Sequence, residues 1–293
     1  MLPAANPSSD PTTEKPLRAK RWIPLSLRIF AAILVILVVM WVVCIGIPGY
    51  WQHVAICEIE RVNGRVEWTR QRGPQWLRTA LGRHLCMSLL DDILGVSLDD
   101  SDATDSTLVH LKRLSHLDYL GLNRTAVTDA GLVHLAGLTR LRSLSLGGTH
   151  VGDAGLAQLK GLTGLECLNL SRTEVTDGGM PSIHALIHLR RLMLKKTQVK
   201  GPGLEHLQGL PLWQLDAIGS AIDDDGLTCV ARLSGLTHMF LDETEVTDAG
   251  ILKLAALSSL EYITVHGTAV TGSGIADLQQ ALPALEITKE WRH

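Results

Sequence analysis

Apolar and polar positions along this chain follow two rhythms that return together. Between Tyr119 and Leu141, Leu120 and Leu122 flank a glycine, which is the two-residue rhythm of a short strand. Leu132, Leu135 and Leu138 then step by three, the inward stripe of one short helix. The block recurs. Val-Thr-Asp-Ala-Gly-Leu begins at Val127, and variants begin at Ala103, Val151, Val175, Val199, Ile222, Val246 and Val270, spaced 24 residues apart six times and 23 once, between Val199 and Ile222. Self-similarity at a fixed period of this size predicts stacked repeats. A unit this short buries too little apolar surface to offset the ordering of its own backbone. Its stability must come from neighbours, so both ends need caps.

Three columns accompany the leucines. Thr128 and Asp129 stand where the helix begins, where either side-chain oxygen can accept a free backbone N–H and Asp meets the positive end of the helix dipole. Gly131, Gly155, Gly179, Gly203, Gly226, Gly250 and Gly274 form a second column, broken only by Thr107, which predicts close backbone approach in the first helical turn. Ser101, Thr125, Thr149, Thr173, Thr197, Ser220, Thr244 and Thr268 form a third, predicted to satisfy backbone groups that neither strand nor helix pairs. Strands stack ~4.8 Å apart while helices need ~8–10 Å, so the stack must bend with its strands on the concave side.

The pattern Leu-x-Leu-x-x-Thr-x-Val-Thr-Asp-Ala-Gly-Leu-x-x-Leu resembles the leucine-rich repeat, in a helix-bearing form with Thr in place of the usual Asn. It looks most like the exported or membrane-anchored repeat proteins of planctomycete-type bacteria. It is also similar to the repeat half of F-box leucine-rich proteins, although no F-box segment precedes it. The resemblance runs from about Ile93 to Ile287. It implies an α/β solenoid, a right-handed βα superhelix with a parallel concave sheet and convex helices.

Outside the repeats, Ile29 to Ile47 carries no charged or strongly polar side chain. Trp22 precedes it, and Tyr50 and Trp51 follow it, where amphipathic rings favour a membrane interface. The run is too long for a signal-peptide core and no Ala-x-Ala site follows, so it predicts an uncleaved transmembrane helix. Five bases precede it (Lys15, Arg18, Lys20, Arg21 and Arg28), and only Arg61 and Arg65 follow closely. The positive-inside rule then puts the N-terminus in the cytoplasm and the repeats outside it, on a single-pass protein of the cell inner membrane. The expected organisation is a disordered tail (1–21), a transmembrane helix (22–49), an N-terminal cap (50–95), eight repeats (96–281) and a C-terminal cap (282–293). In the first cap, helices are expected over His53–Arg61 and Gln75–Leu81 and a strand over Arg65–Trp68. In the second, Leu282–Ile287 gives a last strand.

Charge narrows the function classes. The formal net charge is -3, but residues 91–293 carry sixteen bases against twenty-five acids, so nucleic-acid binding by the repeats is not expected. The five cysteines form no Cys-x-x-Cys pair; Cys57 and Cys86 either pair or stay separate thiols. No phosphate-binding Gly-x-x-x-x-Gly-Lys loop, Gly-x-Ser-x-Gly elbow or His-Glu-x-x-His helix occurs. No cofactor, metal or catalytic residue is expected.

Concave side chains flank the strand leucines. They are small in the first half of the array and large, charged or aromatic from Arg191 onward. Arg191, Met193, Lys195, Gln214, Asp216, His238, Phe240, Asp242, Tyr262 and His266 are therefore the candidate binding residues for a protein or peptide partner. Asp242 and His266 occupy equivalent places on adjacent strands, which allows an Asp–His contact, but an open sheet with no nucleophile opposite argues against chemistry. The repeat that begins at Val199 is irregular. Lys200-Gly201-Pro202 replaces Thr-Asp-Ala, and five bases (Arg190, Arg191, Lys195, Lys196 and Lys200) precede a unit carrying Asp216, Asp223, Asp224 and Asp225. The acids either compensate the bases or leave them for a partner. Trp213 is a core filler or an exposed anchor. Two other roles fit the same pattern: a structural or spacer element of the cell envelope, and an F-box-like adaptor if the repeats are cytoplasmic.

Overall fold

The computed structural model describes residues 25–71, 75–76, 79–80, 82 and 91–289, which divide into two units, Met1–Cys44 and Ile45–His293. The expected tail over 1–21 and the Cys86 half of any Cys57–Cys86 pair lie outside the described residues; of the helix expected over 75–81, residues 75–76 and 79–80 are described and are helical.

In the first unit, helix α1 (Leu25–Trp41) is 17 residues long, and its large apolar side chains from Ile29 to Trp41 are exposed. Among the described residues no helix is long and apolar enough to cross a membrane. The span expected over 22–49 is not one α-helix. α1 stops at Trp41, Val42–Gly46 take up π-helical geometry, and α2 starts at Ile47.

The second unit opens with α2 (Ile47–Arg61), which has Pro48 in its first turn, where a missing N–H does no harm. Ala55, Ile56 and Ile59 are its buried face, and α2 packs on α3 (Asp105–Leu111). One sheet of ten strands follows, in sequence order: β1 (Arg65–Arg70), β2 (Asp92–Ser97), β3 (Tyr119–Gly121), β4 (Ser143–Ser145), β5 (Cys167–Asn169), β6 (Arg191–Met193), β7 (Gln214–Asp216), β8 (His238–Phe240), β9 (Tyr262–Thr264) and β10 (Glu286–Thr288). β1 runs antiparallel to β2 with an irregular register around Trp68, and every later pair is parallel. Parallel pairing in strict register aligns Leu144, Leu168, Leu192, Leu215, Met239 and Ile263, all fully buried.

The repeat core follows the leucine pattern. Leu120, Leu122, Val127, Leu132, Leu135, Leu138 and Leu141 of one unit are all 0% exposed. The step of three has a consequence that a helix of 3.6 residues per turn could not accommodate for long. Only Asp129–Leu132 is α-helical, and Val133–Leu135 continues as 3-10 helix, whose three residues per turn keep Leu132 and Leu135 on one side. Asp153–Leu156 with Ala157–Gly161, and Asp248–Ile251 with Leu252–Ala256, repeat the arrangement.

The hydroxyl column does what its position predicts. Each of Ser101, Thr125, Thr149, Thr173, Thr197, Ser220, Thr244 and Thr268 donates to the carbonyl three residues earlier at 2.6–2.8 Å.

The Thr-Asp pair divides its labour. Thr128, Thr176 and Thr247 cap their own helices by accepting the N–H two residues on. The aspartate instead reaches the next repeat. Asp153 accepts the Thr176 N–H (2.8 Å) and hydroxyl (2.6 Å), and Asp105, Asp224 and Asp248 hold Thr128, Thr247 and Thr271 in the same way. The glycine column is the counterpart of that reach, because a Cβ at Gly179 would stand 2.6 Å from Asp153 Oδ1.

The repeat that begins at Val199 breaks this chain. Gly201 stands where the aspartate should be, and Asp223 turns inward to cap its own helix (Asp224–Val230) through the Asp225 and Gly226 N–H groups at 3.0 Å. Here Gly201 and Gly226 approach backbone to backbone, too closely for a side chain on either. Pro202 begins a purely 3-10 segment, Pro202–Leu207.

Candidate functional site

The sheet face opposite the helices is the concave one by the spacing argument above. On it the side chains before and after each buried strand leucine form two rows one strand spacing apart. Toward the C-terminal end these rows become a continuous array. Arg191 on β6 is exposed, its Nε donates to Gln214 Oε1 (3.1 Å), and its guanidinium lies over the Trp213 ring, 5.8 Å from the centroid. Trp213 meets His238 edge-on (5.5 Å, 86°), and His238 is 6.1 Å from Tyr262, which is 5.9 Å from Phe240. The Thr237 hydroxyl lies 2.8 Å from His238 Nδ1 and so restrains the ring. Met193, Gln214, His238, Phe240 and Tyr262 are all half-buried.

Trp213 belongs to this array, 36% exposed and bridging Arg191 to His238. It precedes β7 rather than lying in it, so alternation along the strand could not assign it a face.

Two of the expected binding residues are placed otherwise. Asp216 and Asp242 are 6% and 5% exposed. Asp242 accepts the His266 N–H and the Thr264 hydroxyl, both at 2.7 Å, so its carboxylate is spent holding the next strand. Asp216 lies 3.1 Å from Lys195 Nζ, and burial raises its pKa above the ordinary carboxylate value, against the lowering effect of Lys195 and the Ile218 N–H. The side chains of short residues sink between strands ~4.8 Å apart while longer neighbours cover them. The His266 Nδ1 lies 3.0 Å from the Lys289 carbonyl, and His266 meets Asp242 through its backbone N–H. Among the described residues no group of three metal-ligating side chains gathers.

The bases around Arg191 are only partly compensated. Lys195 pairs with Asp216 and Lys196 with Glu243 (3.7 Å). The acids expected to balance the rest are engaged on the helix side: Asp223 caps its helix, Asp224 holds Thr247, and Asp225 lies 3.9 Å from Lys253.

The opposite end of the concave face holds an aromatic pair that sequence reasoning missed. Trp68 of β1, 54% exposed, lies over Gly95 and meets Tyr119 edge-on at 5.1 Å. Burial raises the Tyr119 phenol pKa, helped by the charges of Asp99 and Glu67. The available signal was Gly95, a side-chain-free concave position beside a strand carrying Trp. Between the two aromatic ends the floor is small and polar, and Asn123 Oδ1 accepts from Gly147 N (2.9 Å) and Asn169 Nδ2 (3.2 Å). A further groove of about 410 Å³ lies along the strand-start edge, lined by Asp118, Arg140, Arg142, Glu166 and His188. Its Arg142 and Glu166 are paired at 2.6 Å.

No protein-family model matches the chain, and no curated protein matches it. Among solved structures it is similar to internalin C2 from Listeria monocytogenes, with 26% identity and a TM-score of 0.53 over 67% of this chain and 81% of that one. Matches of lower TM-score are the internalin inlF from the same organism (21% identity, TM-score 0.48, 64% of this chain and 58% of that one) and a TDR receptor (16%, 0.49, 68% and 34%). The fold is that of a leucine-rich repeat solenoid, with a parallel sheet on one face and short helices on the other.

Proposed function

We propose that the chain is a membrane-tethered leucine-rich repeat binding module. It holds another protein, or an extended segment of one, on the C-terminal half of its concave sheet and performs no chemistry of its own. The observation that carries this reading is the unbroken array from Arg191 through Trp213 and His238 to Tyr262 and Phe240. Aromatic and arginine side chains grouped with half-buried apolar neighbours are what binding interfaces concentrate. The likeness to internalin C2 supports a scaffold that presents a surface, while the ligand is argued from the site itself.

The tether rests on the apolar run Ile29–Ile47, the five bases before it, and the outward-facing apolar side chains of α1. A helix apolar on every side is stable where hydrocarbon or protein covers it. The N-terminus is cytoplasmic and the repeats lie outside the cytoplasm of a bacterial cell, as in the planctomycete-type proteins the repeat resembles. An adaptor of the F-box kind would need the repeats in the cytoplasm, and an envelope spacer would need no partner.

A photo-crosslinking residue replacing Tyr262, compared with one replacing the exposed helix-side Val133, tests the binding reading in cells. A protein trapped from position 262 and not from 133 supports it; equal trapping, or none, refutes it. Protease added to spheroplasts with a sealed inner membrane tests the topology: digestion of the repeats is expected, and full protection would place them in the cytoplasm.

A further inference from the structure

Arg191 is a prearranged cation without a counter-ion. Lys195 and Lys196 have carboxylate partners, and so do Arg124, Arg140 and Arg142 at the edges of the sheet. Arg191 has a glutamine on its Nε and an indole beneath its guanidinium, and among the described residues no carboxylate lies within ion-pair distance of it. The guanidinium is a planar fork suited to gripping both oxygens of a carboxylate, and the Gln214 bond and the Trp213 ring restrict where it lies beforehand. Exposed Arg190 and Lys200 add to a local positive field on an otherwise acidic array. Two and three strands further on, Phe240 and Tyr262 offer half-buried apolar contact.

We infer that Arg191 grips a side-chain carboxylate in an extended segment of the partner, and that an apolar side chain of the same segment packs on Phe240 and Tyr262. The inference rests on the concave-face reading above. The geometry also sets a spacing. Two to three strand separations of ~4.8 Å amount to ~10–14 Å, and an extended chain laid across the strands advances ~3.3 Å per residue. An extended chain turns alternate side chains to opposite faces, so the acidic and apolar residues of the partner, both facing the sheet, stand about four positions apart.

The test uses the full chain in detergent micelles and blocked decapeptides of Gly and Ser carrying one Glu and one Phe, separated by one to six positions, read by fluorescence anisotropy. A separation of four should bind tightest, and replacing Glu by Gln should weaken it roughly 10-fold, as expected for a charge-assisted hydrogen-bonded pair. In Arg191→Gln, checked for an unchanged thermal midpoint, the Glu and Gln peptides should bind equally. Phe240→Ala should weaken both peptides by the same factor. Equal binding of Glu and Gln peptides by the unaltered chain, discrimination that survives Arg191→Gln, or no binding of any peptide at about 1 mM overturns the inference. Binding that is indifferent to Glu yet lost in Phe240→Ala refutes the carboxylate reading alone. Binding indifferent to both Arg191 and Phe240 refutes the concave site as well.

Discussion

Asp153 and Gly179 are matched across the boundary between two repeats. The Asp153 carboxylate that accepts the Thr176 N–H and hydroxyl occupies the space a Cβ on Gly179 would need, with Oδ1 2.6 Å from it. Sequence order separates the pair by more than one period, and each residue accounts for the recurrence of the other. Gly179→Ala should destabilise by about 1–3 kcal/mol through overpacking. Asp153→Ala should lose a similar ~1–3 kcal/mol by leaving the Thr176 N–H and hydroxyl without their acceptor. The double variant should lose less than the sum, by about 1 kcal/mol, because the smaller side chain vacates the space the new methyl needs. Denaturant unfolding of the four proteins measures this coupling, and strict additivity would show the two columns to be independent.

The junction after the repeat that begins at Val199 lacks this staple. Gly201 supplies no carboxylate, and backbone approach to Gly226 takes its place. Stability in a stacked array is shared between neighbours, so one weak boundary opens more readily than the rest. Native-state hydrogen exchange should find the amides of residues 203–207 less protected than those of residues 129–135. Equal protection would show that the glycine contact substitutes fully.

Thr149 is 3% exposed and donates to the Leu146 carbonyl at 2.6 Å. Thr149→Val keeps the shape and removes the donor, at a cost of roughly 1–2 kcal/mol, whereas Thr149→Ser should retain most of the stability. A thermal midpoint for the valine variant equal to that of the serine variant would show the hydroxyl column to be dispensable.

Two carboxylates should respond to pH with opposite signs. Burial raises Asp216 above the unfolded value, so the folded state holds its proton longer. Its contribution is most favourable below about pH 4 and is lost as pH rises through the raised value. Asp216→Asn should remove that loss and flatten the stability profile on the alkaline side. Asp248 is lowered, first by the Thr271 hydroxyl and then by the Thr271 N–H, so its contribution is present above about pH 4 and disappears as pH falls through the lowered value. Thr271→Val should bring the Asp248 titration back toward the ordinary carboxylate value in carboxyl-carbon NMR. No movement would mean that the hydroxyl does not set it.

The strands, their register and the buried leucines were legible because period and alternation depend only on local spacing. The hydroxyl column was legible for the same reason, since each Thr bonds a carbonyl three residues back. What the Asp and Gly columns do was not, because the atom each residue meets belongs to the neighbouring repeat. Alternation placed Asp216 and Asp242 on the concave face, but it could not tell that both are buried, one beside Lys195 and the other on the Thr264 hydroxyl and His266 N–H. Trp68 escaped because β1 lies outside the repeat and pairs antiparallel with an irregular register.

The most direct test of the concave site is a quantitative pull-down from crosslinked native membranes, comparing the unaltered chain with one in which Arg191, His238, Phe240 and Tyr262 are all replaced by alanine. These side chains cap no helix, and what they make between repeats is the exposed Arg191–Gln214 bond and ring contacts on the sheet face, so the variant should keep its fold by circular dichroism and its thermal midpoint within a few degrees. The expected result is a partner recovered with the unaltered chain and absent with the variant. Recovery of the same partner in the same yield from both would contradict the account and move recognition off this face.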